Sequence, residues 1–179
     1  MEFSTGKGSD VQAVVDLFQD VFSASEGADE SALIGAFVQD LLSRTPEADV
    51  MLYTAYQDTE LVGAVAFSRM TYPQDSRDVF ILSPMAVRTD RQKSGIGQAL
   101  ITYGLDQLRN FGVDVVLTYG DPNYYCRTGF LAISEEIAQP PLKLCYPHGW
   151  LGQSLDGREL TPLKGPSHCV AALNNPALW

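Results

Sequence analysis

The run Gln92-Lys93-Ser94-Gly95-Ile96-Gly97-Gln98 joins an apolar segment to an amphipathic helical pattern through two glycines. Such a turn suits phosphate. Gly95 and Gly97 carry no Cβ, so the backbone from Lys93 to Gln98 can turn sharply and bring several N–H donors onto one anionic group at the helix N-terminus. The turn is not a Walker loop, because no Gly-Lys-Ser/Thr follows, and not G-x-G-x-x-G, because Leu100 stands in place of the third glycine. A nucleoside triphosphatase and a dinucleotide dehydrogenase are therefore disfavoured. Taken alone, the same residues also suit a tight strand-to-helix connection with no ligand.

Other reactive side chains are sparse. Cys126, Cys145 and Cys169 form no C-x-x-C pair, and His148 and His168 are scattered, so free thiols in a reducing cytosol and no metal site are expected. Neither histidine has a nucleophile partner in sequence, and Cys126 has no base beside it. His148 and Trp150 read as a turn histidine and a packed tryptophan. Asp121 opens Asp-Pro-Asn, the pattern of a helix cap with Pro122 at the first helical position. The formal net charge of −10 disfavours nucleic acid and anionic membrane as partners. The polar N-terminus and strand-length apolar runs predict neither a signal peptide nor a membrane span.

These groups need elements to hold them. A chain of 179 residues, 45% hydrophobic, is expected to form one domain over residues 1–179. Met1–Gly6 reads as a first strand, and Ser9 or Asp10 as the cap of a helix with Val11, Val14, Val15, Phe18 and Phe22 on one face. Leu33, Ile34, Phe37, Val38, Leu41 and Leu42 mark a second helix ending before Pro46. Val50–Tyr56 and Leu61–Met70 read as a hairpin turning at Gln57–Glu60. After the strand Val79–Val87, the helix of the cradle shows Gly97, Leu100, Ile101, Gly104, Leu105, Leu108 and Phe111 on one face, with Gly112 placed to stop it. A strand through Val113–Tyr119 follows. In the tail, Leu131–Ile137 and Ser167–Leu173 read as strands separated by a long Pro- and Gly-bearing stretch.

The pattern Gln92-x-x-Gly95-x-Gly97 after Met85-Ala86-Val87 resembles the acetyl-CoA signature of the GNAT superfamily of N-acetyltransferases. The run Gly-Asp-Pro-Asn-Tyr-Tyr-Cys-Arg-Thr-Gly-Phe resembles that family's second signature, a tyrosine four residues before a Gly-Phe pair, in a bacterial branch marked by Gly-Asp-Pro-x-Tyr-Tyr. The resemblance centres on residues 79–130. It implies an α/β (α+β) fold with a mixed, mostly antiparallel sheet splayed between its fourth and fifth strands and flanked by helices. It also implies that Gln92, Lys93, Ser94, Gly95, Ile96, Gly97 and Gln98 cradle the coenzyme A pyrophosphate. Pro84, which lacks an N–H and is tolerated mainly at an edge or bulge, suits a splay beyond which Met85, Ala86 and Val87 would pair with the pantetheine amides. The first two helices would border the acceptor site, and residues 131–179 would close it.

The implied chemistry is direct transfer of acetyl from acetyl-CoA to a primary amine of a small molecule or peptide, by a cytoplasmic monomer or homodimer. An alkylamine is only about one part in 2,500 unprotonated at pH 7, so a base must act. Asp78 is the candidate, directly or through water, its alternative being an exposed carboxylate at a strand entrance. Tyr125 stands where the family's general acid stands and would protonate the leaving thiolate, the alternative being a core aromatic. Asn123 would contact substrate or coenzyme, or be a solvated first-turn residue. The competing class is a non-catalytic acyl-CoA-binding regulatory module.

Overall fold

Short-range signals set most of the elements. The computed structural model describes residues 1–6 and 10–179, giving β1 (Glu2–Thr5), α1 (Val11–Ser25), α2 (Ala28–Arg44), β2 (Val50–Gln57), β3 (Glu60–Thr71), β4 (Val79–Val87), α3 (Ile96–Asn110), β5 (Val115–Tyr119), α4 (Pro122–Tyr125), β6 (Leu131–Ala132), β7 (Trp150–Ser154) and β8 (His168–Cys169). Asp10 caps α1 by accepting from the Gln12 N–H at 2.9 Å. Ser9, the other candidate cap, lies outside the described residues. Asp58 and Thr59 both take positive φ, +50° and +70°, the backbone that a two-residue hairpin turn demands. Strand order is β1-β2-β3-β4-β5-β7-β6, with β8 paired to β3. The pairs β1–β2, β3–β8, β5–β7 and β6–β7 are antiparallel, and β4–β5 is parallel. The sheet is thus mixed and mostly antiparallel, as the resemblance implied.

The chain divides into two compact units, Met1–Phe67 with Pro84–Gly104, and Ser68–Ser83 with Leu105–Trp179. In the first, α1 buries Val14, Val15, Leu17, Phe18 and Val21, and α2 buries Ile34, Gly35, Phe37, Val38 and Leu41. The N-terminal part of α3 lies close against β3. A Cβ on Gly104 would stand 2.6 Å from the Phe67 ring, a contact that only glycine avoids.

In the second unit, β5 is the buried spine, with Val115, Val116, Leu117 and Thr118 at 0–1% exposure. α3 ends here in paired bonds from Gly112 N–H to Arg109 and from Val113 N–H to Leu108, with Gly112 at φ +84°. That ending corrects the expected apolar face: Phe111 falls on the capping residue, is turned outward, and is 67% exposed. The tail also departs from expectation. Leu131–Ile137 contributes only the two residues of β6, because Ile137 and Ala138 turn back to bond Ser134 C=O. Ser167–Leu173 contributes only β8, and a 3₁₀ turn takes Ala171–Leu173. The stretch read as a long connection contains β7. Its few apolar residues, flanked by Pro147, Gly149 and Gly157, carry little strand signal, and pairing with β5 and β6 makes the strand.

One ion pair fastens the tail. The Arg77 guanidinium grips Asp75 at 2.8 and 2.9 Å and also donates to Thr161 and Pro162, while Asp75 accepts from Lys164 N–H at 3.0 Å. The Asp75 side chain is 5% exposed and that of Arg77 25%. Removing one partner of a buried pair costs ~3–5 kcal/mol. Because Arg77 stays partly wet, Arg77→Leu is expected to cost about 2–3 kcal/mol in denaturant melts. The hydrogen bond from Arg77 holds the Asp75 carboxyl well below its ordinary 3.8, with the Lys164 amide adding to it and burial opposing both. A carboxyl depressed on folding stabilises above its unfolded pKa and loses that contribution as pH falls below it, so stability is expected to drop below about pH 4. An Asp75→Asn variant with the same acid midpoint as the parent protein would refute this.

Candidate active site

The first unit carries the cradle. β4 delivers Met85, Ala86 and Val87 to a 3₁₀ turn at Thr89–Arg91, which Arg88 pins by donating to Asp90 at 2.6 and 3.1 Å and to Glu60 at 2.8 Å. Ala86 and Val87 are 3% and 9% exposed. The Gln92 side-chain amide donates to Val87 C=O at 3.1 Å, closing the strand end. Ser94 Oγ donates to Arg91 C=O. Lys93 and Gly95 both hold left-handed backbone, φ +61° and +86°. A non-glycine residue there is strained by ~1–3 kcal/mol, as at many ligand clamps. The α3 ladder begins with Ala99 N–H bonded to Gly95 C=O at 3.0 Å, so the amides of Ile96, Gly97 and Gln98 precede it and lack intrahelical acceptors. A Cβ built on Gly95 would meet nothing within 4 Å. Free donors, the positive helix end and open space make an anion seat.

The second unit carries the tyrosine. Gly120 leads from β5 into Asp121, whose carboxylate accepts from Asn123 N–H at 2.9 Å and from the Asn123 side chain at 3.2 Å, with Pro122 at the first helical position. Asp121 is thus a cap, and exposed Asn123 belongs to the capped first turn. The Tyr125 ring packs edge-on against Tyr124 and Phe130, with centroids at 5.2 and 5.8 Å. A Cβ on Gly120 would lie 2.7 Å from Tyr125 Cε2, so glycine is what allows the ring its place. Burial pushes the Tyr125 phenol well above the ordinary tyrosine range. Gly120 did not stand out in the sequence as the residue that makes room for the tyrosine. The only signal was its position, five residues before the tyrosine at a strand end.

Asp78 sits elsewhere. It precedes the first rung of the β4–β5 ladder, Val79 opposite Val115, whereas Thr118 lies on the rung with Leu82. At ~3.3 Å per residue that separates Asp78 from Leu82 by about 13 Å along β4. Its carboxylate is paired with Arg69, whose guanidinium lies 4.8 Å from the Phe80 ring centroid. Its backbone N–H donates to the Asp114 carboxylate at 2.7 Å. His148 is an exposed turn residue, and fully buried Trp150 donates Nε1–H to Ala138 C=O at 2.8 Å. Among the described residues, no group of three or more His, Cys, Asp or Glu is placed to hold a metal, and no helix is long and apolar enough to cross a membrane.

A mixed sheet whose β4 runs past its last rung with β5, together with a glycine cradle at the next helix, defines an acyltransferase-type architecture. The match is specific: residues 11–130 fit the model of the Acetyltransferase (GNAT) family. The chain belongs to that family. It is 30% identical over 167 residues to the uncharacterized N-acetyltransferase YjhQ of Escherichia coli (strain K12), covering 90% of this chain and 88% of that one. Its fold is similar to that of the E. coli GNAT family N-acetyltransferase YhbS solved in complex with CoA, with TM-score 0.78, 22% identity, and coverage of 97% and 92% of the two chains. A GNAT family acetyltransferase from Brucella melitensis, solved in complex with acetyl-CoA, aligns with TM-score 0.70, 23% identity, and 97% coverage of both.

Proposed function

We propose that this protein transfers acetyl from acetyl-CoA directly to a primary amine of a small molecule or peptide, with residues 1–179 working as one acetyltransferase domain. The observation that carries the reading is the open anion seat at Lys93–Gln98. It matches the diphosphate of coenzyme A, and the two similar solved structures are complexes with CoA and acetyl-CoA. Met85, Ala86 and Val87 pair with the pantetheine amides, and an N–H of this segment polarises the thioester carbonyl, an oxyanion contact that contributes ~2.7–4 kcal/mol. The amine nitrogen attacks that carbonyl, the C–S bond breaks, and the Tyr125 phenol gives its proton to the thiolate. With Asp78 held by Arg69 at the far end of the ladder, water relays the amine proton. Residues 131–179 contribute a wall of the acceptor site. Three unpaired thiols suit a reducing cytoplasm.

The test is thermal. A species that binds only the native state stabilises by mass action, about 2.7 kcal/mol at a hundred times its Kd, so acetyl-CoA is expected to raise Tm by several degrees and NADH and ATP far less. A larger shift with either nucleotide would assign the cradle to another phosphate class. Thiol release from acetyl-CoA across a panel of amines, polyamines and N-terminal peptides then separates an enzyme from a regulatory acyl-CoA-binding module.

A further inference from the structure

The turn that carries Tyr125 cannot set its own position. α4 is a single turn of four residues, and the 3₁₀ turn Cys126–Thr128 that follows closes through Gly129 N–H bonded to Cys126 C=O at 3.2 Å. Helical turns this short are unstable alone, because nucleation fixes several dihedrals for one hydrogen bond. Anchors outside the turn must place it. β7 and the residue before it supply two, one at each flank. Ahead of the tyrosine, Gly120 N–H donates to Gly149 C=O at 2.9 Å, next to the start of β7. Beyond it, the Gln153 side-chain amide donates from Nε2 to Thr128 C=O at 3.1 Å. This second anchor passes directly to the tyrosine. Thr128 Oγ1 donates to Tyr125 C=O at 2.9 Å, Phe130 N–H reaches the same carbonyl at 3.4 Å, and the Phe130 ring packs edge-on against Tyr125. Gln153 is itself fixed by the ladder, opposite Val116 of β5. Its carboxamide lies along Gly129, where a Cβ would come within 3.1 Å of Oε1.

We infer that Gln153 is a positioning residue for Tyr125: its amide, held on the β5–β7 ladder, grips Thr128 C=O and through it fixes the turn that aims the phenol. The aim matters, because a displacement of about 1 Å at a reacting group costs on the order of 100-fold in rate. The ladder itself has no need of a side-chain amide here, since backbone groups make its rungs. The donor of Gln153 is therefore spent on the turn. The kinetic part of this inference rests on the acetyltransferase reading above.

Two variants test it. Gln153→Leu removes the donor and keeps a side chain of similar size, while Gln153→Glu keeps the outline and, when ionised, has no proton to give. In protein labelled with 13Cζ-tyrosine, the Tyr125 resonance, assigned by its loss in Tyr125→Phe, is expected to move in both variants at neutral pH. With acetyl-CoA and the fastest amine of the panel, both are expected to lower kcat about 10- to 100-fold, with KM for acetyl-CoA unchanged. As pH falls from about 8 to about 5, the half-buried Glu carboxyl regains a proton and with it a donor, so the ratio of its kcat to the parent's is expected to rise while the Leu ratio stays flat. Arg77→Leu destabilises the tail without touching the turn, and its kcat is expected to stay within about threefold of the parent's. An unmoved Tyr125 resonance or an unchanged kcat in folded Gln153→Leu, a Glu ratio as flat as that of Leu, or an equal loss of kcat in Arg77→Leu overturns the inference. If the parent protein acetylates no amine of the panel, the acetyltransferase reading fails, and the resonance still decides whether Gln153 holds the turn.

Discussion

Tyr125→Phe is expected to lower turnover by roughly 10²–10⁴-fold, the range of general acid catalysis, while acetyl-CoA affinity hardly changes. The substitution removes one proton donor and keeps the ring that packs against Gly120, Tyr124 and Phe130. A phenol already carries its proton at neutral pH, and burial raises its pKa further, so the proposed acid starts in its protonated form there. A purely structural tyrosine predicts the reverse pattern. Turnover would then be near normal with Phe, and Tyr125→Ala would cost about 3–5 kcal/mol of stability, as large aromatic truncations do. Steady-state kinetics and denaturant melts of both variants separate the two roles, and activity within a few-fold of the parent for Phe would remove the general-acid assignment without touching the cradle.

Gly95→Val is expected to weaken CoA binding about 100-fold or more while the protein stays folded. A side chain at φ +86° is strained by ~1–2 kcal/mol, which a stable domain tolerates, and its Cβ meets no protein atom within 4 Å. The added methyls instead occupy the open space above the amides of α3. Each hydrogen bond to a charged group is worth ~1.5–3 kcal/mol, so displacing the phosphate from two of them loses about 3 kcal/mol or more, a factor of at least about 100 in Kd. Isothermal calorimetry with CoA reads this directly. Unchanged affinity in a folded Gly95→Val protein would leave the proposed function without its principal support.

What the sequence determined by itself is local in origin. The turn into α3 was legible because glycine at positive φ and a 3.6-residue apolar period are both written within a few residues, and Gly95, Leu100, Ile101, Leu105 and Leu108 stand as expected. The Asp121 cap, the Asp58–Thr59 turn and the Gly112 stop follow from the same short reach. The second tyrosine of the Gly-Asp-Pro-Asn-Tyr-Tyr run was legible only through resemblance to a family. Tertiary structure decided the rest, because the partners are distant along the chain. Thr118 meets Leu82 across 36 positions and Asp75 meets Lys164 across 89, and no periodicity announces either pairing. β7 exists because β5 and β6 offer it ladders, despite a proline- and glycine-rich approach that reads as loop. Asp78 shows the same limit at a functional position: its residue type suits a base, but the strand that brings Arg69 beside it determines what its carboxylate does.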